Sequence, residues 1–529
     1  MKNLLRYAGF VSLLLICEFA FGQTKIQVEQ AEFLRGGGSD ADGNSFRKLI
    51  GDVILVQGNT RIFGDSVIYY SKRNFTEVFG DTVRIEESDT IVITGGRLRY
   101  DGNKQLAEMR DDVLYQDPSM KLYTDYLDYN LADNIAYYYN GGKLVDTTNV
   151  LTSRLGNYQT ATNLAAFKDS VVLINPEYTL EADTLEYNTV TKIAYTRGPT
   201  IITSKDSTQL NAEAGSEIST TDKQSIFGLG TIETDAYLIS ADRLFADELN
   251  KRYNATSNVE MVSKEQDVII VGDSAFYRME EGITKIFGNP VMKKIMEGDT
   301  LFLAADTLIS VEDSIPANER ILAFPNVRIY RSDLQGIADS LAYHILDSVL
   351  YFFQDPVLWA QDSQIEADSI NVELLDGKIH KMNATDNSFV VSTDTLSNFN
   401  QIKGRDMEAF FNEGNISNIN VYGNGESIYF PLQGDSLIVA MNRILCSDIF
   451  IFFEKNELSS IRFDNKPEGK FIPPHEITPE NTKLEGFSWR IEERPTLASI
   501  FNPVLKVKPE PPPINIEVKP VPIPAATLP

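Results

Sequence analysis

Two cysteines are too few to staple this chain. Cys17 falls in an apolar leader, so the exported chain keeps Cys446 alone and cannot close an internal disulfide. Stability must then come from sheet pairing and apolar burial, even in an oxidising compartment. Histidine is equally scarce: His344, His380 and His475 stand at separations that form no ligand motif, and no metal site is expected. The stretch Asp40-Ala41-Asp42-Gly43-Asn44 hints at calcium, but its glycine is misplaced for the twelve-residue loop and no closing glutamate follows, so it reads as an ordinary loop. GxSxG, GxxxxGK and dinucleotide fingerprints are missing, and no cofactor is expected. Basic residues are outnumbered, 48 Lys and Arg against 75 Asp and Glu, and the net charge of -27 argues against nucleic acid, which is held by clustered cations. Beyond the leader no apolar run approaches the roughly 18 to 20 residues of a membrane helix.

The leader itself has the parts of a secretory signal. Lys2 and Arg6 precede the apolar stretch from Ala8 to Cys17, and Ala20-Phe21-Gly22 offers small residues at the cleavage position before Gln23. Residues 1–22 are read as a cleaved signal peptide and the mature chain as exported. Lipidation at Cys17 is disfavoured by the bulky Ile16 before it.

What the chain has in abundance is repetition. Ala182-Asp183-Thr184-Leu185-Glu186-Tyr187 is the clearest copy of a signature that recurs at Asp65, Asp125, Asp242, Asp273, Asp306, Asp339 and Asp368. The last four lie 33, 33 and 29 residues apart. Degenerate copies fall at Gly96-Arg97-Leu98, Arg154-Leu155-Gly156 and Glu213-Ala214-Gly215, where the phase persists without the aspartate. A fixed period of this length marks a stacked architecture whose units bury their apolar faces against one another.

The spacing of two in Asp183, Leu185 and Tyr187 predicts one face of a strand, with Thr184 and Glu186 on the other. A turn at Asn188 then leads to Lys192-Ile193-Ala194-Tyr195 as a hairpin. A third element starts with valine after turn formers, as in Val83-Arg84-Ile85, Val327-Arg328-Ile329 and Val357-Leu358-Trp359. Three or four strands per unit, and no helix-period stretch of 12 residues, predict an all-β body. The unit is longer than the coil of a parallel β-helix. We therefore expect an elongated β-jelly roll, taco-like, with mainly antiparallel strands in two facing sheets and open edges. The body should span residues 23–465, with a seam near 205–225 where the signature is weakest. Of the 22 prolines, 14 lie from Pro467 onward, so 466–529 reads as a Pro-rich linker and tail.

An exported chain with repeated AD-x-L-x-Y, K-x-A-x-Y and G-x-V-x-I strands resembles the OstA-like family, of the LptA and LptD periplasmic-domain type, over most of residues 25–430. The best copies are Ala182 to Tyr187 with Lys192 to Ile201, and Gly272 to Tyr277 with Lys285 to Val291. The resemblance implies an apolar groove between two sheets that shields the acyl chains of lipopolysaccharide on the way to the outer membrane. Its partners would be the lipid A acyl chains and other lipopolysaccharide-transport components joined through edge strands. The chain departs from the family in its length, and it lacks the long series of amphipathic strands of an outer-membrane barrel. Head-group contact would have to rely on local basic residues, with Lys293 and Lys294 as candidates, or on bridging cations.

Leu127, Tyr129, Leu185, Tyr187, Leu341 and Tyr343 are the lipid-groove candidates. If the sheets close fully, these residues are packing; if the sheets gape, they are the binding surface. The recurrent aspartates read as turn devices bonded to nearby backbone amides, because a catalytic pair would appear once and not in every unit. Pairs such as Glu86-Glu87 and Glu280-Glu281 are uninformative in so acidic a chain. No catalytic residue is expected. The competing expectation is a structural or adhesive envelope β-solenoid with a dry interior, and a polysaccharide-cleaving enzyme ranks third.

Overall fold

The computed structural model describes residues 25–502, apart from 40–42, 44, 297, 361, 435, 455 and 456. The leader with Cys17, most of the 40–44 loop and the tail beyond residue 502 lie outside the described residues. Among the described residues the fold is all β, with antiparallel strands, a few 3-10 turns and one five-residue helix, Leu497–Phe501. They form two compact units. One holds the chain up to Asp235 together with Arg243–Asn250; the other holds Ala236–Asp242 and everything from Lys251.

In the first unit the strands are long and bent. Along Tyr178–Asn188 the buried positions are 178, 180 and 182, then 185 and 187, so the alternation slips by one at Asp183. The ladder to Leu164–Ile174 slips at the same place, between Lys168 and Val171. A strand of strict period two would turn its second half inside out at such a bend; the extra residue of a bulge restores the inward face. Two leaves result. The front leaf contains 106–110, 126–130, 135–139, 155–159, 164–168 and 184–188; the back leaf contains 113–116, 121–124, 142–145, 150–152, 171–174 and 178–182. Side chains of the two leaves meet across the interior: the Tyr115 ring of the back leaf lies 6.0 Å from Tyr129 and 5.9 Å from Tyr158 of the front leaf.

The corner explains the signature aspartate. Strands beside it turn through left-handed pairs such as Asp111 (φ 67°) with Asp112 (φ 49°) and Asp169 (φ 70°) with Ser170 (φ 57°), a conformation that Asp, Asn and Gly tolerate best. Asp65 Oδ2 accepts a bond from the Asp81 amide at 3.0 Å. In the second unit Asn258, Asn326 and Asn387 donate to Asp242, Asp306 and Asp368 at 2.7, 2.7 and 3.1 Å. Where the aspartate is lost, the charge changes strand. Arg97 pairs with Asp111 at 3.0 Å and Arg154 with Asp169 at 2.8 Å, so the bridge across the corner survives. Replacing Asp368 by alanine should therefore cost no more than about 1 kcal/mol in chemical denaturation, because the corner is solvent-exposed. A loss three times as large would give the aspartate a role beyond the turn.

Two sequence expectations need correction. Asp183 does not share a face with Leu185 and Tyr187; it is exposed at the corner where the phase changes. The turn before the third element is no reversal either. Ile193–Thr196 and Thr200–Ser204 both pair with Tyr178–Asn188, as two arms of one bent strand. Gln209–Ala212 and Ser216–Ser219 repeat this arrangement against Gln224–Glu233, so the degenerate copy at 213–215 is another corner, with Gly215 at φ 107°. Each repeat is thus two bent strands, or four half-strands.

In the second unit the front leaf runs through Ile283–Phe287, Thr307–Val311, Arg320–Phe324, Ser340–His344 and Val349–Phe353. The back leaf runs through Val291–Met296, Asp299–Ala304, Val327–Tyr330, Leu334–Ala338, Val357–Ala360 and Ser363–Glu366, then Phe389–Thr393 and Phe399–Lys403. Val357–Ala360 is buried at all four positions, which requires a cover on each face of this leaf. The register sets Gln335, Trp359, Gln364, Val391 and Gln401 in one row. The three glutamines are only 3%, 1% and 0% exposed, which would be costly without partners.

The partners come from the C-terminal segment. Gln401 accepts from the Leu484 amide at 2.8 Å and donates to the Thr482 carbonyl at 2.7 Å; Gln364 accepts from the Arg490 amide at 2.7 Å and donates to the Ser488 carbonyl at 3.2 Å. Each side-chain amide thus imitates a strand neighbour for an extended stretch. Arg494 Nε reaches Gln335 at 2.7 Å. Leu484 packs with Phe389, Val391 and Ile428, and Ile500 with Val291 and Ala304. Residues 482–502 are therefore a strap laid along the back leaf, within the region that the prolines mark as linker and tail.

Candidate functional site

The six groove candidates all point into the interior of their own unit. Leu127, Tyr129, Leu185 and Tyr187 sit on the front leaf of the first unit and are at most 1% exposed; Leu341 and Tyr343 sit on the front leaf of the second at 2% and 0%. The leucines stack with neighbouring inward residues, Leu127 against Met109 and Tyr138, and Leu185 against Phe167 and Thr196, along the ladder. Burial pushes the Tyr129 hydroxyl up to about 12 and that of Tyr115 higher still, so both rings enter the interior uncharged.

Opposite the corners, at the free rim of the first unit, polar side chains tie leaf to leaf. Asp146 and Asn149 belong to a back-leaf turn, and Tyr187 and Lys192 to the end of a front-leaf hairpin. The Asp146 carboxylate, with no exposed side-chain surface, accepts from Lys192 Nζ at 2.7 Å, from the Tyr187 hydroxyl at 2.5 Å, and from the amides of Thr148 and Asn149 at 2.8 and 2.7 Å. Asn149 Nδ2 donates to the Tyr187 hydroxyl at 2.8 Å and to Thr220 at 3.1 Å; Asn175 Nδ2 donates to Asn149 Oδ1 at 2.8 Å. Desolvation alone would raise the Asp146 pKa, but the bonds from Lys192, Tyr187, Thr148 and Asn149 outweigh it and hold the carboxyl below its usual range. Further along the rim, Ser119 meets Thr189 at 3.2 Å and Gln57 Nε2 donates to the Gly102 carbonyl at 2.8 Å. The first unit is thus a two-leaved apolar interior hinged by corners and latched by polar groups.

In the second unit, Gln266 Nε2 donates to Glu319 at 2.7 Å across the rim, and Lys294 donates to the Gln266 carbonyl. Burial lowers the Lys294 pKa, against the pull of Asp267. Lys293 lies 5.7 Å from the centre of the Phe501 ring. Both candidate head-group cations therefore have intramolecular partners. The latch escaped sequence reasoning because Asp146 and Lys192 are 46 residues apart and neither stands out locally. Only the inward register of Tyr187, one turn from Lys192, pointed to that rim.

Residues 23–183 match the sequence profile of the family described as OstA-like protein. A search of curated proteins finds no match. Among solved structures, the chain is similar to LptH of Pseudomonas aeruginosa, the LptA-homologous periplasmic component of a lipopolysaccharide transport device, at 15% identity. That alignment covers 32% of this chain and 78% of LptH, with a TM-score of 0.09. It is also similar to the extracellular domain of the one-component system BT4673 of B. thetaiotaomicron, at 7% identity over 85% of this chain and 98% of the other, with a TM-score of 0.08. Residues 23–183 are an OstA-like segment, and its described residues are built of bent strands around an apolar interior.

Proposed function

We propose that the protein is a noncatalytic periplasmic carrier or bridge for lipopolysaccharide, sheltering acyl chains between the leaves during transport to the outer membrane. The observation that carries this reading is the file of inward apolar residues that runs along the OstA-like segment, from Val67 and Val78 through Leu127 and Tyr138 to Phe167, with Leu185 just beyond it; Gly156 alone interrupts the row, and the Tyr138 ring fills its space. Transfer of acyl carbons into such an interior recovers about 0.8 kcal/mol per methylene. The polar latch stands where a chain would enter sideways, so loading requires the leaves to part at Asp146 and Lys192. Unpaired edge strands would join this protein to other transport components by strand addition. No helix among the described residues is long and apolar enough to cross a membrane.

A photo-crosslinking residue at Leu127 or Leu185 tests the reading in cells. Ultraviolet-dependent adducts with lipopolysaccharide are expected at these two positions and not at the exposed Glu181 on the outer side of the same leaf pair. Absence of adducts from a folded, abundant protein would overturn it. One observation favours the structural or adhesive alternative, namely that rings of both leaves already touch in the interior. Under that alternative, depletion of the protein would leave outer-membrane lipopolysaccharide unchanged.

A further inference from the structure

We propose that the outer face of the front leaf in the first unit binds an anionic oligosaccharide. This site lies outside the apolar interior, so the inference stands whether or not the lipid reading holds. The outward positions of a solvated sheet are usually polar. Here three half-exposed tyrosines, Tyr137, Tyr139 and Tyr195, border a cleft of about 510 Å³.

The register sets the geometry. One outward row runs Tyr137, Asn157, Ala166, Glu186, Tyr195, and the row beside it runs Tyr139, Leu155, Lys168, Thr184. At about 4.8 Å per strand, the two end tyrosines stand roughly 19 Å apart. Asn157 and Ala166 between them are short, so the floor is low and the aromatic ends are walls. Tyr139 is held ready. Its hydroxyl accepts from Arg110 Nη2 at 3.0 Å, its ring stacks on Tyr126 at 5.5 Å, and Arg110 is itself pinned by Asp128 at 2.6 Å and by the Leu127 carbonyl at 2.9 Å. A ring fixed before binding loses little entropy when a ligand covers it.

Aromatic faces alternating with hydrogen-bonding groups suit a ligand that is itself apolar on its ring faces and hydroxylated at its edges. That is the chemistry of a sugar. Asn157 stands in the low floor between the aromatic ends, where it can meet a hydroxyl. The charge pattern selects the anion. Arg197 is paired with Glu186 at 3.1 Å, while Lys168 is exposed with no carboxylate in ion-pair range among the described residues. In a chain of net charge -27, a spare cation inside an aromatic cleft is out of pattern. The contrast is with the cleft of about 400 Å³ on the second unit, whose lining includes Glu265, Glu280, Glu281, Glu312, Asp313 and Glu319 and would repel the same ligand.

The test uses the full chain with tetragalacturonate, and cellotetraose as an uncharged comparison of equal ring count, read by saturation-transfer NMR and calorimetry. Saturation should reach the ring protons of tetragalacturonate, with a Kd of about 0.1–1 mM, where a few shallow contacts would put it. Tyr137→Ala and Tyr195→Ala, both at exposed positions where folding is retained, should each weaken binding about tenfold. Lys168→Ala should erase the preference for the charged sugar and leave weak binding of both. The proposal is overturned if neither sugar receives saturation, if the tyrosine variants bind like the parent, or if the charged sugar is never preferred.

Discussion

Truncation of the chain after Asn481 is expected to destabilise the second unit by about 3–6 kcal/mol, because two fully buried anchors of the strap, Leu484 and Ile500, are lost with it. That is a large fraction of the 5–15 kcal/mol that holds a typical domain together. The glutamines contribute less to this loss than their burial suggests. Once the strap is gone, Gln364 and Gln401 return to water and their amides are satisfied there. The apolar members of the same outward row, Trp359 and Val391, stay behind on an uncovered sheet, and exposed apolar surface of that kind invites association. Denaturation midpoints and binding of an apolar dye would check both effects. A single replacement works differently: Gln401→Ala keeps the strap in place but strips the Thr482 carbonyl and Leu484 amide of their partner in a dry site, at about 1–3 kcal/mol. If truncation left the midpoint unchanged and no dye bound, the strap would be a passenger on a face that needs no cover.

The second large effect concerns the latch. Asp146→Ala leaves Lys192 and the Tyr187 hydroxyl without their acceptor at a nearly closed rim and should cost about 3 kcal/mol. Replacing the pair together, Asp146→Leu with Lys192→Met, should cost less than Asp146→Leu alone, since no unpaired charge is then left at the rim, although the Tyr187 hydroxyl and the Thr148 and Asn149 amides still lose their acceptor. The cycle of Asp146→Leu, Lys192→Met and the two together reads the coupling energy of the pair. The pH dependence follows from the lowered Asp146 pKa. A carboxyl whose folded pKa lies below its unfolded value stabilises fully above the ordinary aspartate value of 3.8, and that contribution disappears as the pH falls through the folded pKa. Acid should therefore open the rim of the parent, while the apolar double variant should show no such component. If the lipid reading is right, Asp146→Ala should also raise adduct yields at Leu185 relative to the parent, because the leaves part more easily.

Most of the strand content was legible because period two in Leu185 and Tyr187 is a local property of the chain. The corner was half legible. The aspartate does stand at a bend, but in the second unit it bonds asparagine side chains across the corner and not nearby backbone amides. Its placement on the face of Leu185 was wrong, because the bulge shifts the alternation by one residue, from Tyr178, Leu180 and Ala182 to Leu185 and Tyr187. The Arg97 and Arg154 copies looked like decay of the signature; only the ladder reveals that Asp111 and Asp169 across the corner supply the missing charge. The strap was hidden by prolines, which speak about backbone conformation and not about docking. Its partners, Gln335, Gln364 and Gln401, are polar residues in strands, indistinguishable in sequence from solvated ones.

The sequence by itself determined the repeat, the alternation that makes strands, and the identity of the inward residues, because these depend on neighbours two to thirty residues away and on side-chain hydrophobicity alone. Tertiary structure decided whether the two leaves touch, which groups lock the rim, and which outer face is covered by the strap and which is left as an open aromatic cleft. Those outcomes depend on groups such as Asp146 and Lys192, or Gln401 and Leu484, that are 46 and 83 residues apart and meet only after the stacked strands have closed on themselves.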